Sequence, residues 1–132
     1  MIQMVIAHMV GDWVLQPRYM AIEKGKNTLS GYLYCLLHVA VYTWCYVIFV
    51  PNQSLEFYLS IAIPHFIIDK WSLMSYWQKF KDGQFWWKAY DEYPTNFEAR
   101  VQMGFAGMRY AVEDNTAHLV CMYFSHLHYY VA

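Results

Sequence analysis

The sequence predicts an all-α protein: one compact bundle of five or six helices over residues 1–132, in or against a membrane. Three observations carry that expectation. Long apolar runs follow one another with few of the turn signals that punctuate strands. Hydrophobic residues make up 58% of the chain and charged ones 14%, more apolar surface than an ordinary soluble domain has to bury. Within the runs, His and Asp recur four residues apart, a spacing that puts both on one helix face.

The other global features narrow the class. A formal charge of −1 leaves no electrostatic footprint for duplex nucleic acid. The three cysteines, Cys35, Cys45 and Cys121, lie in apolar runs without CxxC spacing, so they read as small buried hydrophobes and not as disulfides or thiolate ligands. No basic residue precedes Arg18, so no secretory leader is expected.

In chain order, residues 2–15 read as a helix that is apolar nearly all round, with His8 and Asp12 as its polar exceptions. Gly11 would let a neighbouring helix approach. Gln16-Pro17 breaks the pattern, a short helix follows through Arg18–Glu23, and Lys24-Gly25-Lys26-Asn27 is a loop. Residues 28–50 form an uncharged apolar segment long enough to span a bilayer, with His38 near its middle. Pro51-Asn52-Gln53-Ser54 is a turn. The next helix is expected from about 55 to 77, kinked by Pro64, which also frees a carbonyl one turn upstream. Residues 78–95 mix charges with aromatics and read as a connection, an interfacial belt or a lid. A helix over 97–112 carries Arg100 and Arg109, and its Gly104 and Gly107 suggest close packing. Asp114 is then placed to cap a last helix, 115–131, bearing His118, His126 and His128.

Basic residues sit in the loop 17–27 and after residue 69, whereas the turn 51–56 has none. A hairpin of helices 28–50 and 55–77 would therefore place both basic flanks on the cytoplasmic side of a membrane. A soluble cytoplasmic protein is the alternative.

The polar residues carry the chemistry. The pairs are His8/Asp12, His65/Asp69 and, reversed, Asp114/His118. With six His in 132 residues, roughly 0.5 such pairs would arise by chance. A carboxylate in apolar surroundings is costly unless it is paired or holds a metal. Imidazole and carboxylate together suit divalent Zn or Mn. The candidate ligands are His8, Asp12, His38, His65, Asp69, Asp114 and His118, with Asp12, Asp69 and His38 as candidates for catalytic roles. This is more than one tetrahedral ion needs and suits two ions sharing a bridging carboxylate. Paired ions of that kind stabilise attacking and leaving oxygens in phosphoester displacement. Arg100 and Arg109 are candidates for gripping a phosphate, or plain surface charges. The structural alternative pairs each His with its own Asp by a hydrogen bond, and a lone His38 would ordinarily be a hydrogen-bonded core residue. His126 and His128 lack such carboxylates and read as surface or core residues.

The run Ala7-His8-Met9-Val10-Gly11-Asp12-Trp13-Val14-Leu15-Gln16, then Met20-Ala21 and Lys24, resembles the start of the family catalogued as domain of unknown function 3307. Leu37-His38, Pro64-His65-Phe66-Ile67-Ile68-Asp69-Lys70, and Asp114 with His118 are similar to its remaining motifs in order. The resemblance covers most of the chain outside 78–95 and implies a bacterial or phage protein associated with a membrane. In ligand pattern alone, the His-x-x-x-Asp pairs are similar to those of zinc-dependent phospholipases C and single-strand nucleases.

The leading expectation is a metal-dependent hydrolase of small phosphoesters, a phospholipid headgroup or a nucleotide, with membrane lipid as partner. The rivals are a non-catalytic membrane or interaction protein with a structural His/Asp core, and a small-molecule-sequestering protein with an aromatic-lined pocket.

Overall fold

A computed structural model describes residues 1–81 and 97–130. Helix α1 (Ile2–Met9) runs directly into a π-helical turn (Val10–Val14), followed by α2 (Arg18–Glu23), α3 (Leu29–Phe49), α4 (Leu55–Trp71), α5 (Leu73–Lys81) and α6 (Phe97–Tyr129). No strand occurs among the described residues, so the all-α expectation holds.

Helix α4 lies between α3 and α6, α1 packs on α3, and α2 and α5 are short braces against α3 and α6. The apolar core joins Met4 and Ala7 of α1, Tyr42, Cys45 and Tyr46 of α3, Phe57 and Ile61 of α4 and Met122 of α6. Caps are local. The Thr28 hydroxyl accepts from Gly31 N–H (3.1 Å) at the start of α3, and Ser54 does the same for Phe57 (3.2 Å) at the start of α4.

The helix from residue 55 ends at Trp71 and not near 77. Ser72 takes the left-handed conformation (φ 46°), and α5 starts afresh. Nor does Asp114 cap a separate helix: α6 runs unbroken through it. The polar residues that suggested a break are satisfied within the helix. Asn115 Nδ2 donates to the Ala111 carbonyl and Thr116 Oγ1 to the Val112 carbonyl, each at 2.7 Å. Gly104 and Gly107 face open space and make no close approach, at least to the described residues. Gly11 does serve that purpose. A Cβ there would lie 3.1 Å from the backbone Cα of Tyr42, so the π turn sits directly on α3.

Pro64 lies inside α4 and leaves the Ser60 carbonyl without its helical donor. The Ser125 hydroxyl of α6 faces that carbonyl at 3.2 Å, sharing its proton with the Cys121 carbonyl at 3.0 Å.

Helix α3 is long and apolar enough to cross a membrane, with 21 residues and a mean hydropathy of 1.6 over its best window. Most of it faces outward, with Leu33, Leu36, Trp44 and Ile48 more than half exposed. Helix α4, at 17 residues, is about 26 Å long and falls short of the roughly 30 Å hydrocarbon core, so the two-helix hairpin is not matched in length.

Candidate metal centre

Four buried side chains from three elements meet at one point. The π turn supplies Asp12, α3 supplies His38, and α4 supplies His65 and Asp69 from consecutive turns. His38 Nε2 lies 3.1 Å from Asp12 Oδ1, 3.1 Å from Asp69 Oδ2 and 3.0 Å from His65 Nε2. His65 Nε2 lies 3.2 Å from Asp69 Oδ2 and 3.8 Å from Asp12 Oδ1. Ligands held about 2.0–2.1 Å from a tetrahedral ion stand roughly 3.3 Å apart. These separations bracket that edge, so the four donors fit a single cation.

A second group shares a member with the first. Asp69 turns its other oxygen, Oδ1, towards His118 Nε2 at 3.7 Å, and Asp114 Oδ2 stands 3.6 Å from the same nitrogen. These contacts are too long for hydrogen bonds. His118 Nε2 and Asp114 Oδ1 are buried with no hydrogen-bond partner among the described residues, which leaves them open to an ion or a water. Asp69 thus stands as a carboxylate bridging two donor groups. The rings of His65 and His118 lie 4.1 Å apart, and Tyr42 stacks on the opposite side of His65 at 3.7 Å with planes 21° apart.

His8 lies at the edge and belongs to neither group. Its Nε2 is 4.0 Å from Asp12 Oδ2 but 2.9 Å from Asn115 Oδ1. Because Asn115 Nδ2 is committed to the Ala111 carbonyl, its Oδ1 must accept, which places the His8 proton on Nε2. His8 Nδ1 then accepts from the Tyr42 hydroxyl at 2.9 Å. The π turn accounts for this split. Its Leu15 N–H bonds back five residues to the Val10 carbonyl (2.9 Å). The extra residue in the turn rotates Asp12 out of register with His8 and towards α3.

The electrostatics are divided. For Asp12, burial works to raise the pKa, but the hydrogen bond to His38 and the neighbouring His65 hold it at about 2. Asp69 is likewise held well below the usual carboxylate range, against its burial, by His118, His38 and His65. Burial dominates at His65 and lowers its pKa to about 4. Burial would lower His118 too, but Asp114 and Asp69 lift it to about 9. Without metal, the cluster therefore holds ionised Asp12 and Asp69, a neutral His65 and a protonated His118.

Of the seven candidate ligands, six fall into the two groups and His8 abuts them. His126 and His128 sit in the last turn of α6, away from both groups. Arg109 is exposed on α6. The side chain of Arg100 and most of the 78–95 connection lie outside the described residues.

Three neighbours were not foreseen. Lys24 Nζ donates to Asp69 Oδ2 at 2.6 Å, Tyr42 roofs His65, and Asn115 orients His8. Tyr42 lies one helical turn beyond His38, and Asn115 adjoins Asp114. In the sequence, Lys24 reads only as a basic flank and as part of the family's first motif, neither of which points to Asp69. Lys70 makes no pair with Asp69 and is buried, donating to the carbonyls of Lys24 (3.2 Å) and Lys26 (2.6 Å).

No curated protein and no solved structure matches the chain. A family model described as a protein of unknown function, DUF3307, matches residues 1–131, and the chain belongs to that family.

Proposed function

We propose that this protein is a metal-dependent hydrolase of small phosphoesters, working against the cytoplasmic face of a membrane. The observation that carries the reading is Asp69, whose two oxygens serve two adjoining His/carboxylate groups. Imidazole and carboxylate donors in this proportion suit Zn or Mn. Divalent ions held there would supply Lewis acidity for a phosphoryl oxygen and lower the pKa of an attacking water.

The chain's own residues do the rest. Asp12, His38, His65 and Asp69 would hold one ion, and Asp69, Asp114 and His118 a second. Tyr42 keeps the His65 ring from rotating, and His8 beside the site is itself fixed between Tyr42 and Asn115. Burial of the cluster excludes bulk water, which strengthens each charge on the reacting group. Asp114, the least buried of the six donors, marks the side from which a phosphoester of a lipid headgroup or a nucleotide would enter.

Membrane association is supported by the outward apolar side chains of α3. Sidedness rests on exposed Arg18 and Lys26, since Lys24 and Lys70 turn inward. The test is metal analysis of the purified protein with hydrolysis assays on generic phosphomonoesters, phosphodiesters and phospholipid vesicles. Bound Zn or Mn with hydrolysis that Asp69→Asn abolishes is expected. A protein that takes up no divalent metal would overturn the reading in favour of a structural polar core.

A further inference from the structure

A short loop is held with more apparatus than its length explains. The ammonium of Lys70 is buried in α4 without a carboxylate partner among the described residues. It is spent on the carbonyls of Lys24 (3.2 Å) and Lys26 (2.6 Å) and sits 3.8 Å from the centre of the Tyr32 ring. A buried lysine charge is costly, and two neutral carbonyls with a ring face are modest compensation. From the other side, Gly31 admits the same backbone: any Cβ there would collide with the Lys26 carbonyl. Residues from α3 and α4 thus fix the course of 24–26.

That course delivers one side chain. Lys24 reaches inward to Asp69 Oδ2 at 2.6 Å, the oxygen that also faces His38 and His65, while its own side chain keeps 12% exposure. It is a cation beside the two-group cluster, touching the carboxylate that bridges it. With an ion on Asp69, the positive charge needed there is already supplied, and the ammonium is left with free donors aimed at the centre.

We infer that Lys24 is an anion subsite that binds one phosphoryl oxygen of the substrate beside the metal pair, and that Lys70, Tyr32 and Gly31 are its positioning residues. The inference rests on the metal-site reading above. A fixed ammonium beside two cations selects an anionic ester over a neutral ester or amide, because it compensates charge that a phosphoryl group carries and a neutral ester or amide lacks.

The probe is inorganic phosphate, titrated calorimetrically into full-length protein loaded with Mn, alongside a Mn titration of the metal-free protein. Lys24→Met is expected to keep its Mn stoichiometry and lose phosphate affinity by at least tenfold, with Lys24→Arg recovering part of the loss. Lys70→Met is expected to weaken phosphate to a similar degree. The double variant should be no worse than either single one, as for two residues acting through one contact. Circular dichroism identifies a variant that fails to fold, and Lys24→Arg then carries the comparison. Vesicles of phosphatidic acid form a second arm. A Lys24 effect confined to vesicles assigns the subsite to a lipid headgroup, and one seen with free phosphate assigns it to a soluble ester. Wild-type protein that binds Mn but no phosphate in either form, or phosphate affinity indifferent to Lys24→Met, overturns the subsite alone. Wild-type protein that binds no Mn overturns the metal reading and the subsite with it.

Discussion

The Nε2 atoms of His38 and His65 stand 3.0 Å apart, each also facing the same oxygen of Asp69. Two imidazole nitrogens meet at that distance only if a proton or a cation lies between them. A cation satisfies both at once and neutralises the carboxylates beside them. Chelation should therefore destabilise the protein. At a hundredfold excess of metal over Kd the linkage is worth about 2.7 kcal/mol. For a domain of this size that is a fall in Tm of roughly 5–15 °C on adding chelator. Thermal melts with and without chelator measure it, and coincident melts would contradict it.

The bridging role of Asp69 predicts an ordered pattern of metal loss. Asp69→Asn removes a donor from both groups and should abolish binding of both ions. Asp114→Asn should lose one ion and retain the other, and Asp12→Asn should do the reverse. His126→Ala should change neither. Each replacement is close in shape, so helicity is expected to persist. Metal analysis together with circular dichroism checks all four. Equal stoichiometry in the Asp69 and Asp114 variants would exclude a shared carboxylate.

In metal-free protein, stability should peak near pH 6.5. His118 titrates at about 9 in the fold against 6.5 unfolded, so its contribution is full below pH 6.5 and fades as pH rises through 9. His65, lowered to about 4, resists the proton that its unfolded form accepts near 6.5, so stability also falls from pH 6.5 towards 4. His118→Gln should shrink the alkaline limb, to which the raised His38 also contributes, and ease the acid limb, because the His118 charge helps hold His65 low. Melts across that range in the presence of chelator decide it, and an unchanged alkaline limb would contradict the assignment.

Gly11→Ala places a methyl about 3.1 Å from the backbone of Tyr42, which cannot yield as a side-chain tip would. The π turn must back away from α3, carrying Asp12 from His38. A loss of about 1–3 kcal/mol is expected from overpacking, together with weaker binding of the ion held by Asp12. Urea titrations and metal calorimetry measure the two effects, and retention of both stability and affinity would show that the contact is slack.

Leu33 and Ile48 of α3 are each 58% exposed. Replacing both with Glu should lower binding to lipid vesicles at least roughly tenfold, because charge is excluded from the acyl boundary. Metal stoichiometry should stay as it was. Vesicle flotation gives the answer, and undiminished binding would place the membrane contact elsewhere.

Much of the site was legible because helical spacing is a geometric constraint. His65 and Asp69, or Asp114 and His118, must share a face wherever the helix goes, and apolar surroundings imply that the face turns inward. Sequence spacing does not report where the helical ladder changes pitch. The π turn leaves no mark except Gly11, so His8 and Asp12 looked as closely paired as the other two sets. The unbroken α6 was hidden for a related reason. Asp114-Asn115-Thr116 resembles a cap, and only the Asn115 and Thr116 bonds to carbonyls one turn back show that the helix continues. Lys24 and Lys70 read in the sequence as basic flanks and as members of the family's motifs, neither of which says what they touch. Their roles depend on which backbone lies opposite, and that is set by tertiary packing.

Pro64 has an effect beyond α4 itself. The carbonyl it leaves open at Ser60 faces Ser125, two turns along α6 from His118, while His65 follows Pro64 directly. The gap in one helix and the hydroxyl of the other therefore work as a key and slot. Sliding α6 by one turn would leave the slot empty and carry His118 about 5.4 Å past His65. A residue usually regarded as a helix breaker here sets the longitudinal alignment of two helices, and so the spacing between the two ion positions.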